Sequence, residues 1–229
     1  MTSGSLIRAI LYKETTKMRL AWLLLFLFNA AFLIWLFIGV RHLFRLDHPE
    51  VVWYRVITLG QEHYGTIRVV PLLVGVIVAC LQFLPEMRDE RLRLSLHLPA
   101  SSNAVILSHL LAGLIAIGLL YLCETAVLTA ITLLYFPADV VPTMLQTVAP
   151  WMLAGVTGYL GTTLALLEPG LRLRIFILAL TAGLVSPMLT RRMPGDFAHA
   201  LPVFALAVPL LLAASLLPAY HFRHRRVDL

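Results

Sequence analysis

Apolar residues along this chain come in long blocks, and the polar residues gather in the short stretches between them. The block 21–40 carries no charge, and about 20 apolar residues in a helix suffice to cross the hydrocarbon core of a bilayer. Further blocks at 67–84, 105–128, 151–167, 173–189 and 201–220 predict six spans. The third block stays apolar as far as Phe136, a length that as one helix exceeds the core's ~30 Å. No proline divides it, so a single long helix over 105–128 with an apolar continuation is expected. The connections carry their own signals. Residues 41–65 mix Asp47, Pro49, Glu50, Arg55 and Glu62 with Trp53, Tyr54 and Tyr64, aromatic residues that anchor at the membrane–water interface. Pro137, Asp139, Pro142 and Pro150 mark another connection, and Glu168, Pro169 and Gly170 a tight turn. The chain thus divides into an N-terminal segment 1–20, a transmembrane region 21–220 and a basic tail 221–229.

Composition strengthens this reading. Of the 229 residues, 60% are hydrophobic and only 13% charged, with a mean hydropathy of +0.87, whereas soluble domains carry about 25% charged residues. An all-α integral membrane protein is expected. Six spans leave no room for a kinase, an ATPase or another large catalytic domain, so any chemistry that powers the protein is expected on a partner chain. The net charge of +6 would suggest nucleic acid in a soluble protein; here the basic residues punctuate apolar blocks, which points to topology and anionic lipid, not to nucleic acid. Six spans put both termini on one side. With the termini cytoplasmic, Arg41, Arg45, Arg55, Arg68, Arg191 and Arg192 fall outside, and the other twelve of the 18 basic residues inside, as the positive-inside rule requires. The first block is bulky and follows a long polar stretch, so it reads as a retained span and not as a cleaved signal. Cys80 and Cys123 fall in apolar runs and read as small hydrophobes.

Several residues are candidates for function. In 6–20, Leu6, Ile7, Ile10, Leu11 and Met18 alternate with Arg8, Lys13, Glu14, Lys17 and Arg19, a pattern for an amphipathic helix along the interface or for an ordinary basic flank. Between the second and third spans, Glu86, Arg88, Asp89, Glu90, Arg91 and Arg93 mix signs and precede Leu92, Leu94, Leu96 and Leu98. Such a segment suits a protein partner that reads both signs and an apolar ridge, or else is a solvated, self-paired face. Glu124 is a carboxylate deep in an apolar run; it is costly there unless neutral, paired or facing a polar cavity, so it either lines a translocation path or joins two helices. Gly155, Gly158 and Gly161 recur every third residue, and Ala179 and Gly183 are four apart, spacings that let helices approach closely. The eight histidines show no opposed pair for haem and no metal-ligand spacing, and read as surface residues. Protease, esterase, Walker-type and C-x-x-C motifs are missing from the sequence.

The order of these parts, with the run E-x-x-x-E-R-x-R-L-S-L-x-L-P-x-S from Glu86 to Ser101, resembles the membrane subunits of type-2 class ABC exporters. That resemblance implies an elbow helix over 7–20 with Lys13, Glu14 and Lys17 before the first span. It implies a cytoplasmic coupling helix over 86–99, with Glu86, Arg88, Asp89, Glu90, Arg91, Arg93 and Leu96 docking into a separate nucleotide-binding ATPase. It further implies an outer re-entrant hairpin within 186–199 and pairing with a second copy or a related permease. ATP and Mg would be bound by the partner and no cofactor by this chain, which would sit in a bacterial cytoplasmic membrane. Two other classes fit the composition: a membrane anchor or assembly subunit of an enzyme complex, and a lipid transferase using Glu86, Asp89 and Glu90.

Overall fold

The computed structural model describes residues 3–88, 102–190 and 193–217. Helices carry the architecture: α1 (Ser3–Leu46), α2 (Pro49–Ile57), α3 (Val70–Arg88), α4 (Ser102–Tyr135), α5 (Val140–Leu167), α6 (Leu171–Met188), α7 (Leu201–Ala205) and α8 (Ala207–Ala214). A short 3₁₀ turn, Gly65–Val69, leads into α3. Among the described residues, five segments are long and apolar enough to cross a bilayer: Arg8–Leu46, Gly65–Met87, Asn103–Tyr135, Val140–Leu167 and Leu171–Met188. This is the build of a helical membrane protein, since only structures that satisfy their own backbone groups can span hydrocarbon.

Helix α1 differs from the expected elbow and span. It runs 44 residues without a break, because one stripe of side chains continues through both parts. Ile10, Glu14, Met18, Leu25, Asn29, Leu33, Leu36 and Val40 are all buried, at helical spacings that face the bundle. The charged N-terminal segment therefore packs on α3 and α4. At the far end, Arg55 of α2 holds Asp47 at 2.6 Å, closing the turn from α1 to α2.

Helix α4 is a single helix of 34 residues. Helix α5 starts earlier than the prolines suggested. Pro142 lies in its first turn, where a missing N–H costs nothing, and Pro150 is carried inside the helix. It is the central element, packed on α3 along one side and on α6 and α8 along the other. The sixth block forms the shorter apolar stretch Leu201–Ala214, interrupted between α7 and α8. Pro209 accounts for the interruption: it offers no N–H to the Ala205 carbonyl, and its ring crowds that carbonyl.

Close approach around α5 is made by glycine. A Cβ at Gly75 would run into the Gly155 carbonyl, and one at Gly155 would meet the Tyr121 hydroxyl and the Pro71 carbonyl. The Tyr121 hydroxyl itself donates to that carbonyl at 2.7 Å. Gly158 accepts Leu72 of α3 and Gly161 accepts Thr181 of α6. Gly183, by contrast, has nothing within 4 Å of where a Cβ would stand.

Candidate functional site

Among the described residues, the buried carboxylates fall in two separate groups, both involving α1 and α4. The first joins the beginning of α1 to the end of α3. Lys17 Nζ donates to Glu14 Oε1 at 2.8 Å, to Glu86 Oε1 at 3.0 Å and to the Gln82 carbonyl at 3.0 Å. Lys13 Nζ reaches Glu86 Oε2 at 3.2 Å. Both carboxylate side chains are only 1% exposed, against 20% for Lys17 and 42% for Lys13. Lysine stems of this kind cover apolar surface while their heads stay near water. His109 of α4 sits against the same carboxylate, its Nδ1 3.2 Å from Glu14 Oε1.

Gln82 carries the network inward. Its Nε2 donates to the His109 carbonyl at 2.7 Å, and its Oε1 accepts from the Tyr159 hydroxyl at 2.9 Å. Four helices, α1, α3, α4 and α5, are thus joined in one connected set at the end of α3. Buried charges are tolerable only with such partners, since an unpaired one costs several kcal/mol. The arrangement ties the last turns of α3 to α1, α4 and α5.

The second group is a pair. Asn29 Nδ2 of α1 donates to Glu124 Oε2 of α4 at 3.2 Å, with both side chains buried. Neither Glu124 Oε1 nor Asn29 Oδ1 has a hydrogen-bond partner. The pair stands in the wall of a groove of about 640 Å³ between α1 and α4.

The predicted residues are therefore distributed as follows. Glu86, Lys13, Glu14 and Lys17 come together, while Glu124 lies in the second group. Arg88 ends α3; Asp89, Glu90, Arg91, Arg93 and Leu96 lie outside the described residues. Gly155, Gly158 and Gly161 line the contacts of α5 described above. Asn29, Gln82 and Tyr159 went unassigned in the sequence, and His109, read with the other histidines as a surface residue, is 1% exposed; Asn29 is the lone polar residue of the apolar block 21–40, and Gln82 has only Arg68 for polar company in 67–84. That isolation was the available signal. Among the described residues no three His, Cys, Asp or Glu gather as a metal site.

His63 departs from the surface role read for the histidines. Its ring stacks on Phe136 at 4.3 Å, stands edge-on to Tyr64 at 4.8 Å, and places Nε2 3.2 Å from Thr132 Oγ1. Burial pushes its pKa down from 6.5 to about 4. A base whose folded pKa is lowered leaves the unfolded chain binding more protons between those two values, so stability is full above about pH 6.5 and falls as the pH drops toward 4. The loss across the window is expected to reach no more than about 3 kcal/mol. Melting temperatures in detergent at pH 7 and pH 4.5 should therefore fall further for the wild type than for His63→Phe, which keeps the stack; equal falls would refute the assignment.

Comparison with family models, with curated proteins and with solved structures finds no match to this chain.

Proposed function

We propose that this chain is the membrane subunit of an ATP-driven transporter, an exporter of the kind its sequence resembles, with ATP and Mg bound by a separate soluble ATPase. The single observation that carries this reading is the ion-pair network at the end of α3. Lys13 and Lys17 hold Glu86, Lys17 and His109 hold Glu14, and Gln82 ties α3 to α4 and α5, so the helix that precedes 89–101 is fastened at its end to three others. A docking segment for a motor needs such a base, because a push on a loosely held loop would dissipate there. This reading takes 201–220 as a sixth crossing, both termini as cytoplasmic, the start of α1 as the counterpart of the elbow, and a second copy or related permease across the translocation path. The membrane is then a bacterial cytoplasmic membrane.

Docking is testable at Glu90 and Arg91, the adjacent acid and base of the proposed coupling segment. Glu90→Lys and Arg91→Glu are expected to weaken co-purification with the ATPase by about tenfold or more, the size of one charge pair lost from an interface, and to abolish ATP-driven transport in proteoliposomes. Their melting temperatures should match the wild type. Normal transport by both variants would overturn the docking role.

A further inference from the structure

The geometry points to a binding site for a hydrophobic primary amine in the groove between α1 and α4, with Glu124 and Asn29 as its polar end. Three buried carboxylates occur among the described residues, Glu14, Glu86 and Glu124. Glu14 and Glu86 each have a lysine at 3.0 Å or less. Glu124 has only the neutral amide of Asn29. A carboxylate in hydrocarbon without a cation is costly unless it is protonated, so this is the one of the three places where a ligand's positive charge would exchange with a proton instead of competing with a lysine.

Hydrogen bonding defines the ligand further. Glu124 Oε1 and Asn29 Oδ1 are both buried acceptors without donors. A primary ammonium carries three N–H donors, enough for both acceptors once the wall parts to expose them, since Glu124 is 0% and Asn29 3% exposed; a hydroxyl carries one. The same ammonium supplies the counter-charge.

The body of the ligand follows from the rest of the groove. Apart from Glu124 and Asn29 its wall is made of nonpolar side chains such as Phe26, Leu33, Phe37 and Val127, and its volume of about 640 Å³ falls within the roughly 300–1,000 Å³ of small-molecule sites. The groove exists because α1 and α4 touch on either side of it. Trp22 Nε1 donates to the Ala116 carbonyl at 3.3 Å on one side, and Phe37 and Phe44 pack on Tyr135 on the other. Between these contacts stand the small residues Ala30, Cys123 and Ala126. Exposed Phe26, Ile34 and Val127 border the opening, so an amphiphile enters sideways from the lipid with its tail along the nonpolar wall. A second, smaller cavity of the same seam, about 270 Å³, includes Glu14; Lys17 already neutralises that carboxylate, which leaves Glu124 as the cation site. The site does not depend on the export reading, since binding by the isolated chain tests one and partnership with an ATPase tests the other.

The test uses the full chain in phosphatidylcholine nanodiscs, labelled with a long-chain primary amine that carries a diazirine in its tail, and mapped by mass spectrometry. Labelling is expected on peptides covering 26–37 and 120–131. Dodecylamine should displace it at about a tenfold lower concentration than dodecanol, and Glu124→Gln should reduce it by about tenfold, the effect of losing one charge-assisted hydrogen bond. Ala30→Leu narrows the groove without touching the Glu124–Asn29 pair; it should abolish labelling with an unchanged melting temperature, and it decides the matter alone if Glu124→Gln does not fold. Undiminished labelling of the variants, equal displacement by dodecanol, label spread evenly over the exposed helix faces, or cross-links joining two copies through the groove would each overturn the proposal.

Discussion

Lys17→Met is expected to destabilise the protein by about 3–5 kcal/mol, the cost of removing one partner from a buried ion pair. Lys17 is the cation shared by Glu14 and Glu86, each 1% exposed. Without it, two carboxylates face one another across a gap that water enters poorly, and Lys13, 42% exposed and bonded to Glu86 alone, cannot serve both. Lys13→Met should therefore cost far less, about 1 kcal/mol or under, as exposed pairs do. Unfolding in detergent by heat or denaturant measures both. Combining Lys17→Met with Glu14→Gln should recover part of the loss, because the second change removes one of the two stranded charges; such coupling is what a double-mutant cycle isolates. Equal effects of the two lysine substitutions would mean that the network contributes position and little stability.

Gly155→Leu should prevent α3 and α5 from closing on each other, at a cost above the ~1–3 kcal/mol of ordinary overpacking. The obstructing atoms explain the size of the effect. A side chain at Gly155 meets the Pro71 carbonyl and the Tyr121 hydroxyl that donates to it; one is backbone and the other is held by a hydrogen bond, so neither can swing away. Gly183→Ala is the control within the same bundle. Open space surrounds that position, and alanine favours helix over glycine by about 0.5–1 kcal/mol, so this variant should melt at or above the wild-type temperature. A reversed order would remove the close approach at Gly155 as the basis of the interface.

The elements were legible wherever one pattern acted alone. Long apolar blocks located α1, α3, α4, α5 and α6, because spanning length needs no tertiary information. Boundaries failed where a local signal met a packing demand. Pro142 and Pro150 look like a connection in sequence, yet α5 runs through both, since the helix is clasped by neighbours that hold it on course. The charged residues of 8–19 look interfacial, yet Glu14 is buried; its partner Lys17 one turn on was visible, but Glu86, 69 positions from Lys17 in sequence, could be matched to that lysine only in the fold. Glu124 was visible as an anomaly, and its companion Asn29 was equally anomalous in block 21–40. The one carboxylate of block 105–128 and the one amide of block 21–40 invite pairing, but sequence does not say which helices are neighbours.

The unbroken course of α1 has a mechanical consequence. A helix of 44 residues is roughly 66 Å long, so a tilt of one degree about one end carries the other end by roughly 1 Å. Its first turns are gripped by Glu86 and its last residues are followed by Asp47, which Arg55 holds. No hinge within α1 would absorb a pivot imposed at the end of α3; only its contacts along α4, at Trp22, Asn29, Phe37 and Phe44, stand between that end and α2.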